Sequence, residues 1–393
     1  MTGAPTAGVD IGGTKIRAAV VTPGGEVLAS ATAPTPSGGA AMLDVSADLV
    51  ARAAASAGVP VAAVGVGAAG VVDPGTGEVL AASDSFVGWV GTDLRSGLAS
   101  RTGLPVTVAN DVDAFLVGEA TWGAVRGVRS AAGIALGTGV GGALWLDGGL
   151  YRGAGAAGEI GHMPGFGDAP CTCGQRGHLE TLASGRSVER RYAELVSEGV
   201  GAAGVWPAGV SDEGVSDEGV APAGRGSDGV GSDGVGSDGV GSDGVGLDGV
   251  GSDGRVLDGL GSGGLGSAEV GSADRGLDRR DQGLGERGGS GPVGAAEIEV
   301  RARAGDPVAL RVHADAGHAV GSAVLVVAAL LDVGHVVVGG GLARAWDLLE
   351  PALLARLREA PPVSGHRVEV RRAALGGDAT VVGAAALARR PAS

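Results

Sequence analysis

The sequence is poor in positive charge and in aromatic rings. Lys15 is the sole lysine, and 29 basic residues face 44 acidic ones, giving a net charge of −15 over 393 residues. A surface that binds nucleic acid or an anionic membrane needs clustered Lys or Arg, so the acidic balance argues against both partners. Only ten residues are aromatic, but 44% are hydrophobic, which is enough to bury a sizeable core. A chain of this length usually forms two domains, or two lobes around a cleft.

The chain also lacks a leader-like start, a long apolar run and all but two cysteines. Residues 1–8 contain neither a basic nor an apolar segment, so a signal peptide is not predicted. The longest strongly apolar run, residues 323–331, is far too short to span a bilayer. Cys171 and Cys173 are too close in sequence for an ordinary structural disulfide, and such a pair favours a metal site. These features predict a cytoplasmic protein.

Glycine and acidic residues are concentrated in one segment, residues 199–294. Its 96 residues hold 32 of the 80 glycines and carry a net charge of −10. A five-residue repeat, SDGVG, begins at residues 227, 232, 237 and 242. With almost nothing apolar to bury apart from Trp206, the segment cannot offset the entropy of ordering, and we predict a disordered insertion. Carboxylates beside glycines would also suit a calcium-binding β-roll, but those repeats have nine residues.

Two glycine-rich turns each join a pair of strand-like segments. Residues 7–10 and 16–21 flank the first turn, and residues 131–136 and 143–146 flank the second. Glycines let the backbone N–H groups approach a phosphate, and Thr14 adds a hydroxyl donor. Asp10, at the end of the first strand, is placed to hold Mg²⁺ or its water shell. An ordinary hairpin is the alternative for either turn taken alone.

Other nucleotide-binding motifs fit the glycines less well. Gly137, Gly139 and Gly142 match GxGxxG, but a strand follows them where a dinucleotide-binding turn requires a helix. The sequence contains no GxxxxGK[ST], which excludes a P-loop. A third cluster, residues 339–341, lies between a β-branched run and a helix-like stretch and suits a base or ribose. Two phosphate hairpins and a nucleoside turn predict an actin-like α/β fold whose two lobes close on ATP.

The pair Asn110–Asp111 ends a strand-like segment and opens a helical one. One interpretation is a strand end followed by a helix N-cap. The other makes Asp111 a general base toward a substrate hydroxyl and Asn110 the amide that orients this hydroxyl. The two residues alone leave both interpretations open.

Two cysteines and two histidines lie within 17 residues of one another. Two thiolates and two imidazoles suit a tetrahedral Zn²⁺ site, and four protein ligands would make the metal structural. Glu159 and Glu180 flank this cluster, and paired carboxylates accept hydrogen bonds from sugar hydroxyls. A surface loop with incidental Cys and His is the alternative. The predicted ligands are His162, Cys171, Cys173 and His178.

Together these motifs resemble those of bacterial ROK-family sugar kinases, most closely the actinobacterial glucokinase type. They occur in family order and cover nearly all of residues 5–195 and 295–388. The matching segments are GVDIGGTKIRAAVV from Gly8, GVGAAGVVDPGTG from Gly65, VANDVDAFLVGEATWG from Val108, GIALGTGVGGAL from Gly133, GEIGH from Gly158, CTCGQRGHLE from Cys171 and VVVGGGLA from Val336.

The resemblance implies an actin-like (sugar kinase/Hsp70/actin) ATPase fold and ATP-dependent phosphorylation of a hexose, glucose favoured, at its 6-hydroxyl. Asp111 would be the catalytic base. Sugar contacts would come from Asn110, Asp111, Glu159, His162 and Glu180. ATP with Mg²⁺ would be bound by Asp10, Gly12, Gly13, Thr14, Lys15, Gly137, Thr138, Gly139, Gly141, Gly339, Gly340 and Gly341. Structural Zn²⁺ would be held by His162, Cys171, Cys173 and His178. The family tends to form dimers and tetramers, so a homo-oligomer is expected.

The sequence departs from the family pattern at three places. Family zinc is held by one histidine and three cysteines, and His178 replaces the third cysteine here. Ala69 stands where the family often has proline. The insertion, residues 199–294, is absent from the usual pattern and is expected to leave the cleft intact. Many members are repressors with an added N-terminal helix-turn-helix, but the first phosphate strand begins by residue 8 here, which favours an enzyme.

We therefore predict two lobes and one insertion. The N-terminal lobe, residues 1–109, is completed by a helix at 379–390, and the C-terminal lobe comprises residues 110–198 and 295–378. An N-acetylglucosamine, N-acetylmannosamine or other hexose kinase is the alternative within the same class. A catalytically weak sugar-sensing regulator is the alternative outside it, although the complete Asn110–Asp111 pair argues against a sensor. The sequence does not distinguish ATP from polyphosphate as donor.

Overall fold

Two mixed five-stranded sheets with the same strand pattern dominate the fold. A computed structural model describes residues 3–82, 86–199, 293–363 and 365–389. The chain divides into two compact units, Met1–Val205 with Gly289–Ser393, and Trp206–Gly288. The second unit, and with it nearly all of the predicted disordered insertion, lies outside the described residues.

The described strands and helices follow one another in an order that alternates hairpins with α/β crossovers. The strands are β1 (Thr6–Ile11), β2 (Lys15–Val21), β3 (Val27–Pro34), β4 (Val64–Ala68), β5 (Val71–Val72), β6 (Val79–Ala81), β7 (Val106–Asn110), β8 (Ala131–Leu136), β9 (Val140–Leu146), β10 (Gly149–Tyr151), β11 (His335–Gly339) and β12 (Glu369–Arg372). The helices are α1 (Gly39–Ala57), α2 (Leu94–Thr102), α3 (Asp111–Thr121), α4 (Glu180–Ala183), α5 (Gly185–Ser197), α6 (Ala295–Arg303), α7 (Pro307–Leu331), α8 (Trp346–Glu359) and α9 (Ala379–Leu387).

Each sheet combines a glycine-turn hairpin with parallel crossover strands. The first has the order β3-β2-β1-β4-β7, and the second has the order β10-β9-β8-β11-β12. In the first, β1 is antiparallel to β2 and parallel to β4, and β4 is parallel to β7. Because parallel strands end at the same edge, Asp10 of β1, Gly67 of β4 and Ala109 of β7 lie side by side. This edge places the first glycine turn beside the start of α3.

Side-chain caps define where α3 and α7 begin. The Asn110 Oδ1 accepts hydrogen bonds from the backbone N–H groups of Val112 (2.7 Å) and Asp113 (3.3 Å) at the start of α3. Asp306 caps α7 in the same way, with Pro307 as the first helical residue. The capped start of α3 fixes the backbone of Asp111 at the sheet edge.

Helix α9 packs across the first sheet and against α3 through glycine backbones. A Cβ on Gly65 would overlap the carbonyl of Ala384, and one on Gly383 would overlap the carbonyl of Ala114. Only glycine permits so close an approach of helix to strand and of helix to helix. Helix α9 therefore contacts β1 and β4. The division into two lobes at residue 109 stays a prediction.

Helix α7 is the one helix in the described ranges that is long and apolar enough to cross a membrane. It has 25 residues, so it extends well beyond the apolar run at residues 323–331. Half of its most apolar 18-residue window is buried. One face, with Val312, Ala316, Val320 and Val324, belongs to the core shared with the second sheet. A core helix of a globular fold satisfies the same length and hydropathy criteria, so this is weak evidence for a membrane.

Candidate functional site

Two partly buried carboxyl groups lie at the shared edge of β1, β4 and β7. Gly67, which pairs with Asp10, lies so close to α3 that a Cβ on it would be 3.5 Å from the Cα of Asp111. Burial, reinforced by the neighbouring charge of Asp10, raises the pKa of Asp111 to about 7. Burial also raises the pKa of Asp10 to about 6, although the charges of Lys15 and Arg17 lower it. The two carboxylates thus repel each other beside the first glycine turn.

A carboxyl group with a pKa near neutrality is matched to proton transfer at neutral pH. A general base works best when its pKa lies close to the working pH, because it is then both ionised and a strong proton acceptor. Asp111 meets this condition for a carboxylate, whose pKa is ordinarily near 4. The arrangement can therefore accept a proton from a hydroxyl group bound at this edge.

Asn110 acts as the helix cap that one of the two sequence interpretations predicts. Its Oδ1 is occupied by the N–H groups at the start of α3. Its Nδ2 donates a hydrogen bond to the carbonyl of Gly70 (2.8 Å), which ties α3 to the turn after β4. A contact between Asn110 and a sugar hydroxyl stays a prediction.

The first glycine turn is a tight hairpin whose tip is exposed. The Gly12 N–H donates to the carbonyl of Lys15 (3.1 Å), and the Thr35 hydroxyl donates to the carbonyl of Gly12 (2.6 Å). Gly13, Thr14 and Lys15 are exposed at the tip. The hairpin is therefore held from behind while its tip is accessible to a ligand.

The second glycine turn and the third glycine cluster line the same cavity. This cavity has a volume of about 440 Å³, and Gly137, Thr138 and Gly341 lie in its wall. None of the described lining residues belongs to the first hairpin, so the structure joins two of the three predicted nucleotide elements in one cavity. Gly339 closes β11, and Gly340 has a positive φ of 90° and lies too close to the carbonyl of Leu136 for any Cβ. Gly340 therefore packs against β8, whereas Gly339 faces the ring of Phe115 in α3.

Four charged residues in this cavity were missed by the sequence motifs. Glu189 accepts a hydrogen bond from the N–H of Ala295 (2.8 Å), and Glu299 accepts one from Arg303 (2.6 Å). No motif marks them, because they come from α5, α6 and the segment before α8, on opposite sides of the insertion. Ala295 and Ala296, the first residues of α6, also line the cavity. The first helix after the insertion therefore begins at the cavity wall. The four charged residues are Arg186, Glu189, Glu299 and Arg344.

The structure brings the four predicted metal ligands together. The ligand atoms of His162, Cys171, Cys173 and His178 all lie within 4.8 Å of one another. The Cys173 Sγ is 3.3 Å from the His178 Nδ1. Zn²⁺ bonds of about 2.3 Å to sulfur and about 2.0–2.1 Å to nitrogen place tetrahedral ligand atoms between roughly 3 and 4 Å apart, against an upper limit of 4.8 Å among the four here. The donor set suits zinc.

The two glutamates that flank this cluster have different surroundings. Glu159 is exposed, and its Oε2 is 3.3 Å from the His162 Nδ1. Glu180 is partly buried, and it accepts hydrogen bonds from the N–H of Val140 (3.0 Å) and from the hydroxyl of Thr172 (2.8 Å). Glu180 thus links the cysteine-bearing loop to the second glycine turn.

Neighbouring side chains explain two glycines of the second turn. A Cβ on Gly139 would overlap the Glu180 carboxylate, and a Cβ on Gly141 would lie 2.5 Å from the side chain of Val112. Gly139 and Gly141 therefore make room for neighbouring side chains as well as shaping the predicted phosphate turn.

Comparison with known proteins places the chain among sugar-kinase relatives. The ROK family profile matches residues 6–217 and 263–391. Glucokinase of Streptomyces coelicolor is 41% identical over 187 residues, which are 47% of this chain and 58% of that protein. N-acetyl-D-glucosamine kinase of Photobacterium profundum is 33% identical over 208 residues, 50% of this chain and 68% of that protein. The chain thus matches less than two thirds of the Streptomyces glucokinase.

A solved structure shares the fold. The crystal structure of a ROK family glucokinase from Streptomyces griseus in complex with glucose and AMPPNP superposes with a TM-score of 0.69. The two sequences are 28% identical, and the superposition covers 99% of this chain and 100% of that one. The predicted actin-like α/β fold is confirmed, with its two equivalent sheets. Because the family match extends over most of the sequence and the fold agrees, the chain belongs to the ROK family.

Proposed function

We propose that the chain is an ATP-dependent hexose kinase that phosphorylates glucose, in preference to other hexoses, at its 6-hydroxyl. The observation that carries this proposal is Asp111, a carboxyl group with a pKa of about 7 at the start of α3, beside the first phosphate turn. Membership of the ROK family and similarity to glucokinases over half of the chain support the same activity.

In the proposed reaction Asp111 is the general base. Its ionised carboxylate takes the proton from the sugar 6-hydroxyl while the sugar oxygen attacks the γ-phosphorus of ATP. The new bond joins that oxygen to phosphorus, and the bond between phosphorus and the β,γ-bridging oxygen breaks, so ADP leaves with the bridging electron pair. Catalysis of this kind depends mainly on positioning and on neutralising phosphate charge.

The cavity at the second glycine turn is the proposed nucleotide site. Gly341, Arg186 and Arg344 would surround the nucleoside, and Gly137 and Thr138 would face the phosphates. The first hairpin, Gly12 to Lys15 with its exposed tip at Gly13, Thr14 and Lys15, would contact the phosphates from the other lobe. Glycine turns suit this role because their N–H groups reach phosphate oxygens without side-chain obstruction.

Asp10 fits a magnesium ion that accompanies ATP. A carboxylate oxygen is a ligand that Mg²⁺ prefers, and burial raises the pKa of Asp10 although the charges of Lys15 and Arg17 lower it, so a bound cation would further favour its ionised form. Bound there, Mg²⁺ would neutralise charge on the transferred phosphoryl group. Asp10 would hold the ion directly or through its water shell.

The Cys/His cluster is proposed to hold structural Zn²⁺. Four protein ligands leave no open position for a reacting water, so the metal would fix the loop rather than catalyse. Through His162 it would hold Glu159, and through the loop of Cys171 and Cys173 it would hold Glu180. Glu159, His162 and Glu180 would then face the sugar with Asn110.

The proposed enzyme is cytoplasmic and homo-oligomeric, as a dimer or tetramer, and acts without nucleic acid or membrane partners. The acidic balance of the sequence supports the last point. Size-exclusion chromatography with light scattering would measure the oligomeric state directly.

An assay of ADP release over several sugars tests the function. With ATP as donor, the assay compares glucose, N-acetylglucosamine, N-acetylmannosamine, mannose and fructose. A parallel series uses polyphosphate as donor and measures the formation of sugar phosphate. We expect glucose to give the highest kcat/KM and the Asp111→Asn variant to lose activity by orders of magnitude. A higher kcat/KM for an N-acetylated sugar would make that sugar the assigned substrate instead of glucose. Tight sugar binding without turnover would favour a sensor. Near-normal turnover by Asp111→Asn would disprove the assignment of the base.

A further inference from the structure

An ion pair joins the helix of the proposed base to the segment that leads to Glu159. Asp113 lies two residues beyond Asp111 in α3, and its Oδ2 is 3.5 Å from the Nε of Arg152. The Asp113 side chain is 12% exposed and the Arg152 side chain 29% exposed. The pair is therefore shielded from water on the carboxylate side, so removing one partner should cost more than at an open surface.

Arg152 begins a tight segment that ends at Glu159. Its carbonyl accepts hydrogen bonds from the N–H groups of Gly155 (2.8 Å) and Ala157 (3.2 Å). Gly158 then has a positive φ of 92°, and a Cβ on it would lie 2.9 Å from the carbonyl of Gly142 in β9. With these contacts, the position of Arg152 determines where the short segment delivers Glu159.

The charges around Asp113 show why Arg152 matters. Burial raises the pKa of Asp113 to about 6, Arg152 lowers it, and the charge of Glu159 raises it. Asp113 is therefore mostly ionised at a pH of about 7.5 and lies close enough to Glu159 for the two carboxylates to repel. Removing Arg152 would leave a buried unpaired carboxylate and would push Glu159 away from α3.

We propose that the Asp113–Arg152 pair is a positioning pair that sets the distance of Glu159 from Asp111 and thereby the affinity for the sugar. This proposal rests on the proposed function, in which Glu159 contacts the sugar. Neither Asp113 nor Arg152 touches the phosphoryl group in this scheme. Loss of the ion pair should therefore affect sugar binding far more than turnover or nucleotide binding.

Kinetics of four variants test the proposal. Asp113→Asn and Arg152→Gln should each raise the KM for the sugar about tenfold, with little change in kcat or in the KM for ATP. The double variant should be no worse than the poorer single variant, because both changes break one interaction. Arg152→Lys keeps the positive charge and should recover most of the sugar affinity. The matched control is Arg129→Gln, which breaks an ion pair with Asp147 whose side chains are 82% and 81% exposed, and it should leave sugar KM unchanged.

Hydrogen exchange supplies a readout that does not depend on activity. In Asp113→Asn and Arg152→Gln the amides of Gly155 and Ala157 should exchange faster than in the parent protein, while amides of the first hairpin stay unchanged. If Asp113→Asn fails to fold, the comparison of Arg152→Gln with Arg152→Lys still decides the matter, and if Arg152→Gln fails to fold, Asp113→Asn decides it against Arg129→Gln. Unchanged sugar KM, equal loss of ATP affinity, or additive effects in the double variant would each overturn the proposal. A parent protein that phosphorylates no sugar would instead refute the proposed function, and exchange at residues 155 and 157 would still show whether the pair holds the segment.

Discussion

Replacing the proposed base should stabilise the protein while abolishing its activity. In an unfolded chain an aspartate has a pKa near 4, whereas burial and the charge of Asp10 raise that of Asp111 to about 7 in the folded protein. The folded state therefore holds this proton more tightly than the unfolded state does. Above a pH of about 7, where Asp111 is ionised in the folded protein, the wild type therefore bears the full cost of the buried charge, which the uncharged amide of the Asp111→Asn variant avoids.

The size of this effect follows from the pKa difference. A shift of about 3 pKa units corresponds to about 4 kcal/mol at pH 8, at roughly 1.4 kcal/mol per unit. Asp111 is only partly buried by surface area, so we discount this to about 2 kcal/mol for solvent screening. Asp111→Asn should thus raise the free energy of unfolding by about 2 kcal/mol at pH 8.

The sign of the pH dependence gives a sharper test. The penalty for the wild-type carboxylate appears as the pH rises from about 4, the unfolded pKa, to about 7, the folded pKa. The stability gained by Asp111→Asn should therefore shrink to about 1 kcal/mol at pH 5.

Urea unfolding of the wild type and the variant at pH 5 and pH 8 measures both numbers. The control is Asp48→Asn, at a side chain 64% exposed on α1, which should change stability by less than about 0.5 kcal/mol at either pH. The reasoning fails if Asp111→Asn is less stable than wild type at pH 8. It fails equally if the difference between the two proteins is the same at pH 5.

Four further predictions follow from other parts of the structure. The value of kcat/KM for the sugar should fall about tenfold per pH unit below pH 7, since only ionised Asp111 accepts the proton. Cys171→Ser removes one of four clustered donors and should lower both the zinc content, measured by elemental analysis, and the sugar affinity. Gly383→Ala should destabilise the protein by about 2 kcal/mol or more in urea unfolding, because the new methyl group overlaps a carbonyl of α3. The control Gly377→Ala places its methyl group in open space and should leave the stability unchanged. Deleting about residues 209–291 should leave the KM for the sugar unchanged.

Each of these predictions has an outcome that contradicts it. A flat rate between pH 5 and pH 7 would remove Asp111 as the titrating base. Zinc-free protein with normal kinetics would refute the metal site. Equal stability of Gly383→Ala and Gly377→Ala would show that α9 shifts freely on α3, and a large rise in sugar KM after the deletion would show that the insertion reaches the site.

The sequence was sufficient to locate both hairpins and the α3 cap, because glycine turns between apolar runs and an Asn–Asp pair are local signals. The second hairpin differs in detail, since β9 begins at Val140 rather than at residue 143. Gly141 and Gly142 belong to the strand, although glycine has a low strand propensity. Side chains of Val112 and Ile160 fill the space in which their Cβ atoms would lie, and such tertiary packing is not visible in local sequence.

The charged residues of the candidate site were harder to predict because their contacts are non-local. Arg186 and Glu299 line the same cavity although the insertion separates them in sequence, and no spacing rule connects residues so far apart in the chain. Asp113 looks in sequence like an ordinary acidic residue in the first turn of a helix, and only the fold places Arg152 beside it. Glu180 was expected to face the sugar, but its bond to the N–H of Val140 could be seen only in three dimensions.

The packing of α9 on the first sheet has a consequence for biosynthesis. The Thr6 hydroxyl of β1 donates to the carbonyl of Ala385 in α9, 379 positions later (2.8 Å). At about 5–20 residues per second, a ribosome makes α9 roughly 20–80 s after β1. Throughout that interval the glycine-lined face of β1 and β4 lacks its helix, so this face of the first sheet stays uncovered until α9 has been made. Deletion of α9 should therefore leave nascent chains dependent on chaperones, since apolar strand surface stays exposed to solvent.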